Sequence, residues 1–203
     1  NAGGGTVWPL EKVAEVCDAA SEAQLKCHMD GARLLNAVVA SGTSAIDYAK
    51  HLDSLWIDLS KGLGCPIGAV LAGSSDFIEE AFRLKHLLGG AMRQSGIIAA
   101  AGVYALEHNI DRLAEDHDNA RHLARRLAQI PGIKIDTSDV ETNLVFFDIT
   151  ATDRTAPDIS EALKEKGVFI GASSDSRMRA VTHLGISQSM VDEAADTISK
   201  VLN

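Results

Sequence analysis

The stretch WIDLSKGLG, residues 56–64, carries an apolar, strand-like run to Ser60 and then sets Lys61 ahead of glycines at 62 and 64. A lysine in a surface loop is the common case. A lysine where a buried strand surfaces, with free backbone around it, also suits an amine that binds a carbonyl compound covalently, which needs partial desolvation and a rigid support. Asp30 stands in a comparable place, directly after the short apolar run LKCHM (25–29). In a parallel sheet both residues emerge at one carboxyl edge, where α/β folds build their sites. The two read either as a plain ion pair or as the two ends of a pyridoxal 5′-phosphate site. In the second reading the lysine forms a Schiff base with the cofactor aldehyde. The carboxylate then keeps the ring nitrogen protonated, so that the ring accepts electrons from substrate bonds.

Arg33 follows Asp30 by about one helical turn and can reach the same mouth. Arg179 interrupts an apolar strand pattern in MRAVTH, where it is either a surface arginine or a guanidinium fork for a substrate carboxylate. LKHLLGGAMRQSG (84–96) gathers Lys85, His86 and Arg93 around a Gly89-Gly90 break between helices. Positive groups and free amides at a helix start suit phosphate, although charged interhelical turns are common.

These residues need a scaffold. Leu10, Val13, Cys17 and Ala20 keep a helical period over 9–24, with Pro9 as the starting residue. ARLLNAVVASG forms a second helix, and SLWIDL (54–59) and IGAVLAG (67–73) read as buried strands bounded by glycine and proline. Strands alternating with helices predict a mainly parallel sheet covered on both faces. Residues 74–130 are helical in pattern, and beyond Gly132 the chain reads strand, strand, helix, strand, strand, helix, a small α+β domain.

With 46% hydrophobic residues in 203, the chain can fill one large or two small domains. A net charge of −9 and a pI near 5.2 give a field of the wrong sign for nucleic acid or an anionic membrane. No apolar run reaches the ~20 residues of a bilayer span, and no signal peptide opens the chain, so it reads as soluble and cytoplasmic. Cys17, Cys27 and Cys65, an odd number without metal-site spacing, read as core residues in a reducing compartment.

GGGTVWPLEKV, HMDGARLLNAVVASG, LSKGLGCPIGAVLAG, LGGAMRQSGIIAAAGVYAL and RAVTHLGIS, in this order, resemble the low-specificity L-threonine aldolases, fold type I pyridoxal-phosphate enzymes of the aspartate-aminotransferase-like class. The resemblance spans essentially the whole chain and is most specific in HMDGAR and SKGLG. It implies a three-layer α/β/α transferase-like large domain, present in part at 1–108, and a small C-terminal α+β domain at 109–203. It implies pyridoxal 5′-phosphate as cofactor and retro-aldol cleavage of L-threonine, L-allo-threonine and related 3-hydroxy amino acids to glycine and an aldehyde. A homo-oligomer, dimer or tetramer, sharing cofactor contacts between subunits, is implied as well. By the same resemblance Lys61 carries the cofactor, Asp30 pairs with its pyridinium, Arg33 and Arg179 hold the substrate carboxylate, and Arg93 and Lys85 lie on the phosphate side. Members often carry lysine where this chain has His86. They also carry a further N-terminal segment, so the chain is expected to be truncated and inactive alone. The same scaffold serves β-eliminating lyases and aminotransferases. An incomplete fragment would keep only oligomerising or binding surfaces. His28, on the strand before Asp30, is expected in the core.

Overall fold

The computed structural model describes residues 4–150 and 154–202. The chain forms two compact units, Trp8–Leu113 and Ala114–Asn203, the second of which also takes the N-terminal stretch ending at Val7. That stretch is tied to the second unit by Thr142 Oγ1 donating to Gly5 O at 2.7 Å and Val7 N donating to Glu141 Oε2 at 2.7 Å.

The first unit begins with α1 (Leu10–Glu22), which buries Val13 and Cys17, one helical turn apart, in a cluster with Leu34 and Tyr48. β1 (His28–Gly31) then leads through α2 (Leu34–Ser41) and α3 (Ala45–Ala49) to β2 (Ser54–Asp58). This helical crossover returns the chain parallel to β1, in the register His28↔Ser54, Asp30↔Trp56 and Gly31↔Ile57. The short α3, which hydropathy alone does not mark, is capped by Ser44, whose Oγ accepts from Asp47 N. β3 (Ala69–Gly73) departs from the expected parallel sheet and runs antiparallel to β2. The connection from Leu59 to Gly68 holds no helix and closes with Leu59 N donating to Gly68 O at 3.0 Å, so the chain can only turn back on itself. β3 is exposed along its whole length, so covering on both faces, also expected, does not extend to it.

Two further helices follow, α4 (Ser75–Leu87) and α5 (Gly96–His108). α4 has no buried residue, and Phe82, Leu87, Leu88 and Ile97 are among the exposed large apolar side chains of this stretch. α5 buries Gly102 and Ala105 against Leu59, Leu63 and Cys65. Among the described residues no helix is long and apolar enough to cross a membrane.

The second unit is a four-stranded antiparallel sheet, ordered β4 (Ile133–Lys134), β5 (Leu144–Ile149), β7 (Arg177–Val181), β6 (Gly171–Ala172). Of the strands expected beyond Gly132, the third, VFIGA (168–172), reaches strand pairing only in its last two residues. Alternation sends Val145, Phe147, Ile149, Met178 and Ala180 to one face, where α6 (Leu113–Leu127), α7 (Ala156–Lys164) and α8 (Gln188–Leu202) complete a core. Each such buried apolar side chain contributes about 1.5–3 kcal/mol. Phe146, Asp148, Arg177 and Arg179 occupy the opposite face. α7 starts on a capping box between Thr155 and Asp158, whose hydrogen bonds hold the Asp158 carboxyl below its ordinary value. The three thiols are free, with Cys17 and Cys65 buried and Cys27 half-buried.

At Gly31 a Cβ would fall 2.2 Å from the Trp56 carbonyl oxygen, so the β1–β2 register admits only glycine there. Gly31→Ala is expected to destabilise the protein by about 1–3 kcal/mol, and Gly171→Ala, with nothing within 4 Å of its Cβ, by well under that. Urea midpoints of the two variants check this, and equal midpoints would refute it.

Candidate active site

Lys61 lies in the loop that leaves β2, held between two buried anchors. Leu59 and Leu63 sit in the core with Cys65 and Ala105, and Asn109 Nδ2 donates to Leu63 O at 2.7 Å. The turn between them closes with Gly64 N donating to Lys61 O at 3.0 Å and Cys65 N donating to Leu59 O at 2.9 Å. Gly62 packs so closely that a Cβ there would come 2.8 Å from buried Leu113 and 3.2 Å from the Asn36 amide oxygen.

The ammonium of Lys61 folds back toward β2. Nζ is 2.8 Å from Asp58 Oδ2 and 5.3 Å from the centre of the Trp56 ring. The Asp58 side chain is 12% exposed and that of Lys61 39%, so the pair is half-shielded from water. Asp58 Oδ1 accepts from Ser60 N at 2.7 Å and from Ser60 Oγ at 2.6 Å. Burial pushes the Asp58 carboxyl up, yet the hydrogen bonds from Lys61 and Ser60 outweigh it and hold the carboxyl below its ordinary value.

Asp30 stands in register with Trp56 on the parallel neighbour, so the two share a sheet face. Its side chain is exposed at the carboxyl end of β1, and Oδ1 accepts from Ala32 N at 3.1 Å. His28 lies on that same face rather than in the core where it was expected. It is exposed, with Nδ1 2.8 Å from Ser54 Oγ, because its odd partner Met29, not His28, points to the packed side of β1. Arg33 is half-buried at the residue before α2.

Arg179 belongs to the second unit, exposed on the face of its sheet opposite the core. Its neighbour Arg177 is engaged, 3.9 Å from Asp148 and 5.2 Å over the Phe146 ring. Among the described residues Arg179 has no such partner. Lys85 and His86 close α4, with His86 Nδ1 2.9 Å from Phe82 O, and Arg93 lies in the connection to α5.

The structure thus sets Lys61 over Trp56, the register partner of Asp30, and pairs it with Asp58, which the sequence reading passed over. Its spacing of three from Lys61, inside the opening stretch, was the available signal. An amine in the loop after β2 and a carboxylate at the end of parallel β1 are groups of the kind that could hold a pyridoxal ring. Among the described residues no cluster of metal-ligating side chains occurs.

The fold places the chain among mixed α/β proteins. A family profile for beta-eliminating lyases matches residues 1–150, and the chain belongs to that family. It is 42% identical over 195 residues to the low specificity L-threonine aldolase of Escherichia coli (strain K12), covering 96% of this chain and 56% of that protein. It is 40% identical over 189 residues to low-specificity L-threonine aldolase 1 of Arabidopsis thaliana, covering 93% of this chain and 53% of that protein. The chain therefore spans little more than half the length of these relatives. The solved threonine aldolase of Leishmania major superposes with a TM-score of 0.73 at 16% identity, over 97% of this chain and 57% of that one. That likeness carries the fold, the partial α/β/α transferase-like architecture with a small α+β unit.

Because Gly62 has no room for a side chain, Gly62→Ala should displace the Lys61 turn. Capture of pyridoxal 5′-phosphate on Lys61 by borohydride is expected to fall about tenfold with far-UV circular dichroism unchanged, a penalty of the size overpacking imposes. Undiminished capture would refute the placement of that turn.

Proposed function

We propose that the protein containing this chain cleaves L-threonine, L-allo-threonine and related 3-hydroxy amino acids to glycine and an aldehyde, with pyridoxal 5′-phosphate as cofactor. The observation that carries this reading is Lys61 at the carboxyl end of β2, on the sheet face and edge that Asp30 occupies on parallel β1. Membership of the beta-eliminating lyase family and the resemblance to relatives named as threonine aldolases support it.

When bound, the cofactor would supply an aldehyde for covalent attachment and a ring that draws electrons from a breaking bond. Lys61 would hold it through Nζ, and Asp30 would offer its carboxylate to the ring nitrogen. Lys85 and Arg93 would face the phosphate. Arg33 and Arg179 would grip the substrate carboxylate and thereby orient the Cα–Cβ bond, since only a bond aligned with the ring's electron system is weakened. A bidentate guanidinium fixes a carboxylate in plane and direction, which an ammonium does not. Arg179, which has no such partner among the described residues, rather than the engaged Arg177, is the arginine suited to this task. An assembly of two or four copies accompanies this reading.

Incubation with L-threonine, L-allo-threonine and 2-oxo acids tests the reaction. Acetaldehyde and glycine are expected, whereas a new amino acid from a 2-oxo acid would indicate an aminotransferase, and no product with cofactor bound would indicate a binding role only.

Lys61→Ala should abolish borohydride fixation of the cofactor, and fixation on another lysine would remove Lys61 from this role. Asp30→Asn should leave the cofactor bound and lower turnover about 10²-fold or more, the scale of losing a charge placed for the transition state. Arg179→Lys should raise KM for the amino acid about tenfold or more with little change in cofactor binding. Loss of cofactor at unchanged KM would assign Arg179 to the phosphate.

A further inference from the structure

The carboxylate nearest to Lys61 is Asp58, and nothing in the proposed chemistry uses it. Its low exposure sets it apart from the similarly spaced surface pairs, and two further contacts hold it in place. Its side chain is only 12% exposed, whereas the acids of the similarly spaced pairs Lys50–Asp47 and Lys12–Glu15 are 42% and 63% exposed. As in Asp47, its two oxygens have separate tasks, Oδ1 fastening the Ser60 turn and Oδ2 taking the ammonium at 2.8 Å. The ammonium is also drawn over the Trp56 ring, the register partner of Asp30. A cation over an indole face next to a shielded carboxylate is held in position. A lysine ammonium must give up a proton to free the lone pair that attacks a carbonyl.

We propose that Asp58 is a positioning residue for Lys61, holding the ammonium against the sheet face above Trp56 when no carbonyl compound is bound, so that capture of a carbonyl requires release of this ion pair. The inference rests on the assignment of Lys61 made above. Other groups facing the pair are few. On the shared face β1 contributes His28 and Asp30, and β3 contributes only Ala69 and Leu71, in register with Asp58 and Trp56. Neither Asp30 nor His28 replaces Asp58, since Asp30 Oδ1 takes the Ala32 amide and His28 meets Ser54 at the far end of β2.

The test reads lysine chemistry in the cofactor-free protein. Formaldehyde with cyanoborohydride methylates free amines, and peptide mass spectrometry gives the rate at each lysine. In the native protein at pH 7, Lys61 should react more slowly than exposed Lys166. In Asp58→Asn, which keeps an oxygen for the Ser60 turn, Lys61 labelling at pH 7 should rise about three- to fivefold, the scale of a half-shielded ion pair, while Lys50 stays unchanged. At about pH 11, where lysines lose their charge, native protein and variant should converge. Asp58→Glu should restore slow labelling at pH 7.

A uniform rise at every pH would mean that the substitution merely loosened the turn, and would overturn the proposal. So would equal rates at pH 7 in native protein and variant, or native Lys61 labelling as fast as Lys166. Borohydride fixation of pyridoxal 5′-phosphate on a different lysine, with the formaldehyde pattern intact, would instead remove the cofactor reading and leave the ion pair standing.

Discussion

The parallel pairing of β1 with β2 is the constraint on which the site depends. With Asp30 opposite Trp56, a shift of one residue would turn Asp30 to the packed face of the sheet and leave Met29 outside. Two things hold the register. Met29, Leu55 and Ile57 face a common apolar cluster with Leu34 and Tyr48, and Gly31 lets the backbones approach where any side chain would strike the Trp56 carbonyl. Hydrophobic burial therefore decides which face carries the chemistry, and one glycine decides how close the strands lie.

Around that pairing, the loop after β2 behaves as a rigid support. Leu59 and Leu63 plug into the core on either side of Lys61, so only the residues between them project. The lysine side chain is long and would lose much rotamer freedom if fixed. The Asp58 carboxylate and the Trp56 ring offset that loss by offering it one favourable resting place. The arrangement matches a general pattern, in which a reactive group is placed by elements whose own stability comes from elsewhere.

The second unit follows the same logic with an antiparallel sheet. α6, α7 and α8 cover one face completely, leaving Phe146, Asp148, Arg177 and Arg179 on the other. α6 and α8 are also joined by His122 and Arg126 with Asp192, and by Arg126 with Asp196. These pairs are largely solvated and add little beyond the apolar core, though hydrogen bonding from His122 keeps the Asp192 carboxyl below its ordinary value. Arg177 is tied down by Asp148 and Phe146, whereas Arg179 on the same face has no such partner among the described residues.

The pattern of residues alone determined most of the elements. Helical periods located α1, α2 and α4 to α8, and apolar runs located β2, β3, β5 and β7, because burial imposes periods of 3.6 and 2 that composition cannot hide. Lys61 and Asp30 were legible for the same reason, as polar residues set where apolar runs end. Tertiary structure decided what periodicity does not encode. The direction of β3 depended on a connection too short for a helix. The exposure of His28 depended on which side of β1 meets the core, since strand alternation fixes two faces without saying which is covered. The partner of Lys61 was decided last, because a flexible side chain takes the nearest shielded carboxylate. That carboxylate is Asp58, three residues away in sequence, and only the turn at Ser60 brings its oxygen to the amine.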